Sequence, residues 1–150
     1  MKSFFSLMAI LFLVLSLPAH ADEAADAEQE QKEKEKGYQL LCVPGTSEEQ
    51  NLSPDDRADL PKQRARFHSL LSDPDSILGP LEMDIFSGKN VMGAVMEYAF
   101  TCAIVDTLKD EIEKRGCADE AGKNFTAAKA LESCTLYGKR IQRLVGSKDE

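Results

Sequence analysis

Residues Glu97–Cys117, EYAFTCAIVDTLKDEIEKRGC, read as one amphipathic helix that carries one cysteine in mid-span and another at its end. The apolar face begins upstream at Val91 and continues through Val95, Tyr98, Cys102, Val105 and Ile112, at the three- and four-residue spacing of one helix face. Asn90 is placed to cap this helix, and Gly116 stands where a C′ glycine would close it, so a helix is expected over 91–115. Asp110 with Lys114 and Glu111 with Arg115 add favourable i, i+4 pairs in its last turns. A second stripe, Ala127, Leu131, Cys134, Gly138, Ile141 and Val145, predicts a final helix that starts between Asp119 and Asn124.

The two stripes match as an antiparallel helical hairpin. Setting Cys102 opposite Cys134 places Val105 opposite Leu131, Tyr98 opposite Gly138, Val95 opposite Ile141 and Val91 opposite Val145. No pair buries a charge, and the one large ring meets the one glycine, which leaves room for it. The same register centres the turn near Ala118. Helices packed roughly 9 Å apart leave facing Cα atoms about 4–5 Å apart, near the short end of the disulfide range. Four cysteines, Cys42, Cys102, Cys117 and Cys134, allow three pairings. A Cys102–Cys117 bond would have to cross roughly 22 Å of helix, and a Cys117–Cys134 bond would need a helix that starts very late. The expected bonds are therefore Cys102–Cys134 and Cys42–Cys117, each contributing roughly 2–4 kcal/mol.

The N-terminus sets the compartment. Met1-Lys2, an apolar run from Phe4 to Leu17 and Ala19-His20-Ala21 follow the plan of a signal peptide, residues 1–21, cut after Ala21. The run is short for a bilayer span, so no membrane anchor is expected after cleavage. The bonded cysteines and the form of the cleavage site point to the periplasm or a secreted location. The whole chain carries 18 basic and 26 acidic residues, and losing Lys2 brings the mature balance to 17 against 26. Such a chain repels nucleic acid, so no nucleic-acid partner is expected.

Residues 22–36, DEAADAEQEQKEKEK, contain seven acids and three lysines and no large apolar side chain, and read as an acidic disordered or frayed arm. Residues 37–150 are expected as a single helical domain. Within it Gly37–Val43 is too short for a helix of its own, and Pro44-Gly45 stops it. Ser53-Pro54-Asp55-Asp56 is a helix start. Pro61 is expected to interrupt that helix, with a second start near Asp59 and a face of Leu60, Phe67, Leu70 and Leu71. Leu81–Phe86 alternates like a strand and reads as an extended linker or irregular helix. The fold class is thus all-α: a disulfide-stapled antiparallel hairpin with one or two shorter covering helices.

Catalytic templates are missing: there is no G-x-S-x-G, H-E-x-x-H, glycine-rich phosphate loop or S-x-x-K. His68 reads as a helix-surface residue, Asp106 as a solvated group or a partner for Lys109, and Asp73-x-Asp75 as a poor match to a calcium loop. No catalytic residue, metal or cofactor is expected. Asn124-Phe125-Thr126 fits a glycosylation sequon, which matters only in a eukaryotic secretory pathway. Charge is segregated: Lys123–Lys148 holds six basic residues against Glu132 alone, with Lys139, Arg140 and Arg143 clustered near the end of the last helix. The sequence therefore suggests a non-enzymatic accessory, inhibitor or immunity-type protein that docks another envelope or secreted protein on Lys139, Arg140 and Arg143. The alternative is a carrier of a small apolar ligand in a helical cavity, hinted at by Met83, Met92 and Met96.

Overall fold

The computed structural model describes residues 23–146, and the signal peptide expected over residues 1–21 lies outside the described residues, as does Lys148. The fold is all-α with two disulfide bonds. In chain order the elements are α1 (Glu23–Cys42), α2 (Ser47–Gln50), α3 (Pro54–Ser72), α4 (Asp75–Phe86), α5 (Val91–Arg115), the short strands β1 (Cys117–Ala118) and β2 (Asn124–Phe125), and α6 (Ala128–Gly146). The chain divides into two compact units, Met1–Arg64 and Ala65–Glu150, and the division falls inside α3 rather than in a linker.

In the first unit α1 begins in the acidic stretch and runs unbroken into the buried Tyr38, Leu40, Leu41 and Cys42. Its early turns are exposed and rich in Ala, Glu, Gln and Lys, which favour helix intrinsically. Glu28 and Glu30 bond Lys32 and Lys34, both at 2.6 Å and in the favourable order along the helix. Gly37–Cys42, too short to form a helix of its own, supplies the last turns of this longer one. Arg64 holds its end: the guanidinium donates to the Leu40 carbonyl at 2.7 Å and to the Glu49 carboxylate at 3.0 Å. The Gly45 N–H also donates to Glu49, at 2.8 Å. That backbone bond and the Arg64 guanidinium hold the Glu49 carboxyl below its usual value.

α3 starts as expected, with the Asp56 N–H donating to Ser53 Oγ at 3.2 Å and Pro54 at the first helical position. The interruption expected at Pro61 does not occur, and one helix runs through it to Ser72. A proline inside a helix costs about 3 kcal/mol. Pro61 itself faces solvent, while Leu60, Phe67, Leu70 and Leu71 on the same helix are buried at about 1.5–3 kcal/mol each. Burial outweighs the lost backbone bond.

In the second unit α4 packs on both α5 and α6, which also pack on each other. Leu81–Phe86, expected to be extended or irregular, belongs to the regular helix α4, whose Leu78, Leu81 and Ile85 are buried. The three- and four-residue spacing of those side chains, and not the local alternation, sets the structure. α5 buries Ala94, Val105, Leu108 and Ile112, and α6 buries Ala130, Cys134, Tyr137 and Ile141. α5 ends at Gly116, whose φ of 79° suits glycine. At the other end Asn90 occupies the N-cap position but its side chain makes no capping hydrogen bond; only its carbonyl engages, accepting from the Ala94 N–H at 2.9 Å.

Cys102 and Cys134 are bonded, with their Cα atoms 5.8 Å apart. No cysteine is free, and the second bond joins Cys42 to Cys117. One turn from the first bond, the Tyr98 hydroxyl donates to the Cys134 carbonyl and overlies Gly138, where an added Cβ would overlap it. Two bonds of this kind point to folding in an oxidising, extracellular or periplasmic environment.

The last helix starts later than expected, at Ala128, because the chain first makes a small β-ribbon. Cys117 pairs with Phe125 and Ala118 with Asn124. The turn between them closes with the Gly122 N–H donating to the Asp119 carbonyl at 2.9 Å, and Gly122 has a φ of 78°. Asp119 Oδ1 accepts from the Lys123 N–H, and Asn124 Oδ1 from the Cys117 N–H, both at 2.8 Å. The ribbon is tied by side chains as well as by its ladder.

Candidate partner-binding surface

α6 is the most strongly amphipathic element. Its inward positions are Ala130, Cys134, Tyr137 and Ile141, so the residues between them must face out. Lys139, Arg140 and Arg143 fall on that outward side, and all three are exposed. Their environments differ. Arg140 reaches Glu82 on α4 at 3.5 Å and lies 5.3 Å from the centre of the Tyr137 ring. Lys139 and Arg143, one turn apart, make no ion pair among the described residues. Leu136, 48% exposed, precedes them on the same face.

Other cations of the basic segment are engaged locally. Lys129 donates to the Ser72 carbonyl at 2.9 Å, and Lys123 stands 5.4 Å from the centre of the Phe125 ring. Two of the three cations, Lys139 and Arg143, thus stand beside one exposed leucine without an ion pair among the described residues. Beneath it, burial pushes the Tyr137 hydroxyl above its usual pKa, and the charge of Asp75 adds to the effect. Position 79 of α4 is glycine, and a Cβ there would lie 3.6 Å from the Tyr137 oxygen. Arg140 thus pairs with α4 while staying exposed, and Lys139 and Arg143 make no such pair among the described residues.

The three methionines of the ligand-carrier reading do not fill the core. Met83 is 61%, Met92 73% and Met96 42% exposed. Phe86, at 68%, joins them, so four large apolar side chains stand in solvent on either side of the α4–α5 turn. α5 is long and apolar enough to cross a membrane by length and composition, yet only 22% of its most apolar window is buried. Sequence reasoning missed this second, outward stripe because it followed the cysteine-bearing one; the spacing of Met92, Met96, Ala99 and Ala103 carries the signal.

The remaining candidates are placed as follows. His68 packs its ring against Phe125, with centroids 5.6 Å apart. Asp106 bonds Lys109 at 2.8 Å, which raises the pKa of the lysine. Glu111, only 8% exposed, accepts from Arg115 Nε at 2.9 Å and also bonds its Nη2. Asn124 spends its side-chain oxygen on the Cys117 amide. An open groove in the first unit is lined by polar and charged side chains, among them Gln31, Glu35, Gln39 and Glu48. Among the described residues no group of three or more His, Cys, Asp or Glu side chains converges as a metal site would require.

The chain matches no protein-family model, and it shows significant similarity to no curated protein and to no solved structure.

Proposed function

We propose that this is an exported, non-enzymatic protein-binding protein of the periplasm or secretory space, of the accessory, inhibitor or immunity type. The observation that carries the reading is the pairing of Lys139 and Arg143 on the outward face of α6, beside the exposed Leu136 and without intramolecular counter-ions among the described residues. Two uncompensated cations beside an apolar contact suit an acidic protein surface, where the charges steer the encounter and the leucine anchors it. The rest of the chain is acidic, so like-charge repulsion confines an acidic partner to this face. The disulfide-bonded α5–α6 pair offers a support that loses little freedom on binding.

The test is affinity capture from an envelope extract with the wild-type protein and with Lys139→Glu/Arg143→Glu. A saturable, salt-sensitive partner that is retained by the wild type and lost by the variant supports the reading. Failure to find a saturable partner, or equal capture by the variant, overturns it.

A further inference from the structure

We infer that the outward face of α5 is the contact surface for a second copy of this chain, packed antiparallel across a two-fold axis. This inference is independent of the cationic face of α6. Met92, Met96, Ala99, Ala103 and Asp106 recur every three or four residues and so form one stripe along the helix. All five are exposed, as is Lys89 just before the helix. The core-facing positions Ala94, Val105, Leu108 and Ile112 lie on the other side, so no element of the unit needs this stripe.

The stripe complements itself in size and in charge. Its first half carries two long methionines and its second half two alanines. When two such helices run antiparallel in register, Met92 of each meets Ala103 of the other, and Met96 meets Ala99. Each knob then finds a small residue opposite, the arrangement that lets helices approach to about 8–10 Å. The same register sets Lys89 opposite Asp106 at both ends. Lys89 makes no ion pair among the described residues, whereas Asp106 is bonded only to its neighbour Lys109 at the surface. An isologous contact requires that residue i meet j while j meets i, and a stripe that runs from cation through large to small to anion meets that requirement only against its own reverse. A parallel copy would oppose methionine to methionine and lysine to lysine. An unrelated partner has no reason to match this order.

Sedimentation equilibrium on the exported protein with both disulfides formed tests the inference over a wide concentration range. The wild type is expected to show a reversible monomer–dimer equilibrium. Met96→Glu, introduced twice per dimer on an exposed position, raises the dissociation constant about tenfold or more with the helical circular-dichroism signal unchanged. Lys89→Glu weakens the dimer as well, and Lys89→Glu/Asp106→Lys restores it, because the reversed pair keeps the register. A protein that is monomeric at every concentration overturns the inference, whether another protein or anionic lipid vesicles cover the face. A dimer indifferent to Met96→Glu, or a charge swap weaker than both single reversals, overturns it equally.

Discussion

Gly138→Ala should change the sign of its effect according to what stands at residue 98. Gly138 lies inside α6 and outside the glycines with positive φ, so its backbone accepts alanine. By helix propensity alone the substitution stabilises by about 1 kcal/mol. The new Cβ, however, would overlap the Tyr98 hydroxyl while remaining 3.5 Å from Cζ, an ordinary contact. The clash is therefore with one oxygen, and that oxygen is committed to the Cys134 carbonyl. Moving it forfeits a hydrogen bond worth about 0.5–1.5 kcal/mol, and any resistance of the packed ring adds about 1–3 kcal/mol of overpacking. In the wild type Gly138→Ala is thus neutral to destabilising, by up to about 3 kcal/mol after the helix gain.

In a Tyr98→Phe background the oxygen is gone and the same substitution recovers its stabilisation of about 1 kcal/mol. The coupling energy of the double-mutant cycle is expected between about 1 and 4 kcal/mol. Urea denaturation of the four disulfide-intact proteins, followed by circular dichroism, measures it. Equal stabilisation by Gly138→Ala in both backgrounds would show that Tyr98 does not cover Gly138 and would refute the packing of α5 on α6 described above.

Replacing Cys102 and Cys134 by serine opens a link of sequence separation 32, which the loop-entropy relation values at about 3.7 kcal/mol; denaturant midpoints of the two oxidised proteins test this. Leu78→Ala, at a side chain with 0% exposure, should cost about 2–5 kcal/mol, whereas Phe86→Ala on the same helix, at 68%, should stay within about 0.5 kcal/mol of wild type. Glu49→Gln should destabilise only where the carboxylate is charged. Its folded pKa is held below the unfolded 4.5, so the stability it contributes is fully present above that value and is lost as pH falls through the folded one. Thermal melts of wild type and Glu49→Gln should accordingly differ at neutral pH and converge in acid.

The features legible in the sequence were those that helix periodicity propagates over a distance. Cys102, Tyr98, Cys134 and Gly138 could be brought together from spacing alone, because two regular helices fix many neighbours once one is chosen. Gly116 and Ser53 were legible because helix ends have strong chemical signatures. The helix Asp75–Phe86 was obscured by six alternating residues and an internal proline, since a short window cannot separate period two from one face of a helix. The late start of α6 was concealed by the expectation that the hairpin would turn tightly at Ala118. Asp119 and Gly122, first and last residues of a β-turn, were the clue to the ribbon. At the candidate surface, Lys139 and Arg143 are exposed. The ion pair of Arg140 was not legible, because its acidic partner Glu82 lies on another helix and only tertiary packing brings the two together.

The pairing of the four cysteines has a topological outcome. The loop closed by Cys42 and Cys117 contains Cys102, and the loop closed by Cys102 and Cys134 contains Cys117, so the two covalent rings interlock along the chain. A protease that cuts once anywhere between residues 42 and 134 therefore liberates no fragment while both bonds survive. Nicked molecules would migrate at full mass until a reductant is added, and damage in a protease-rich compartment would leave the halves tethered and able to close again.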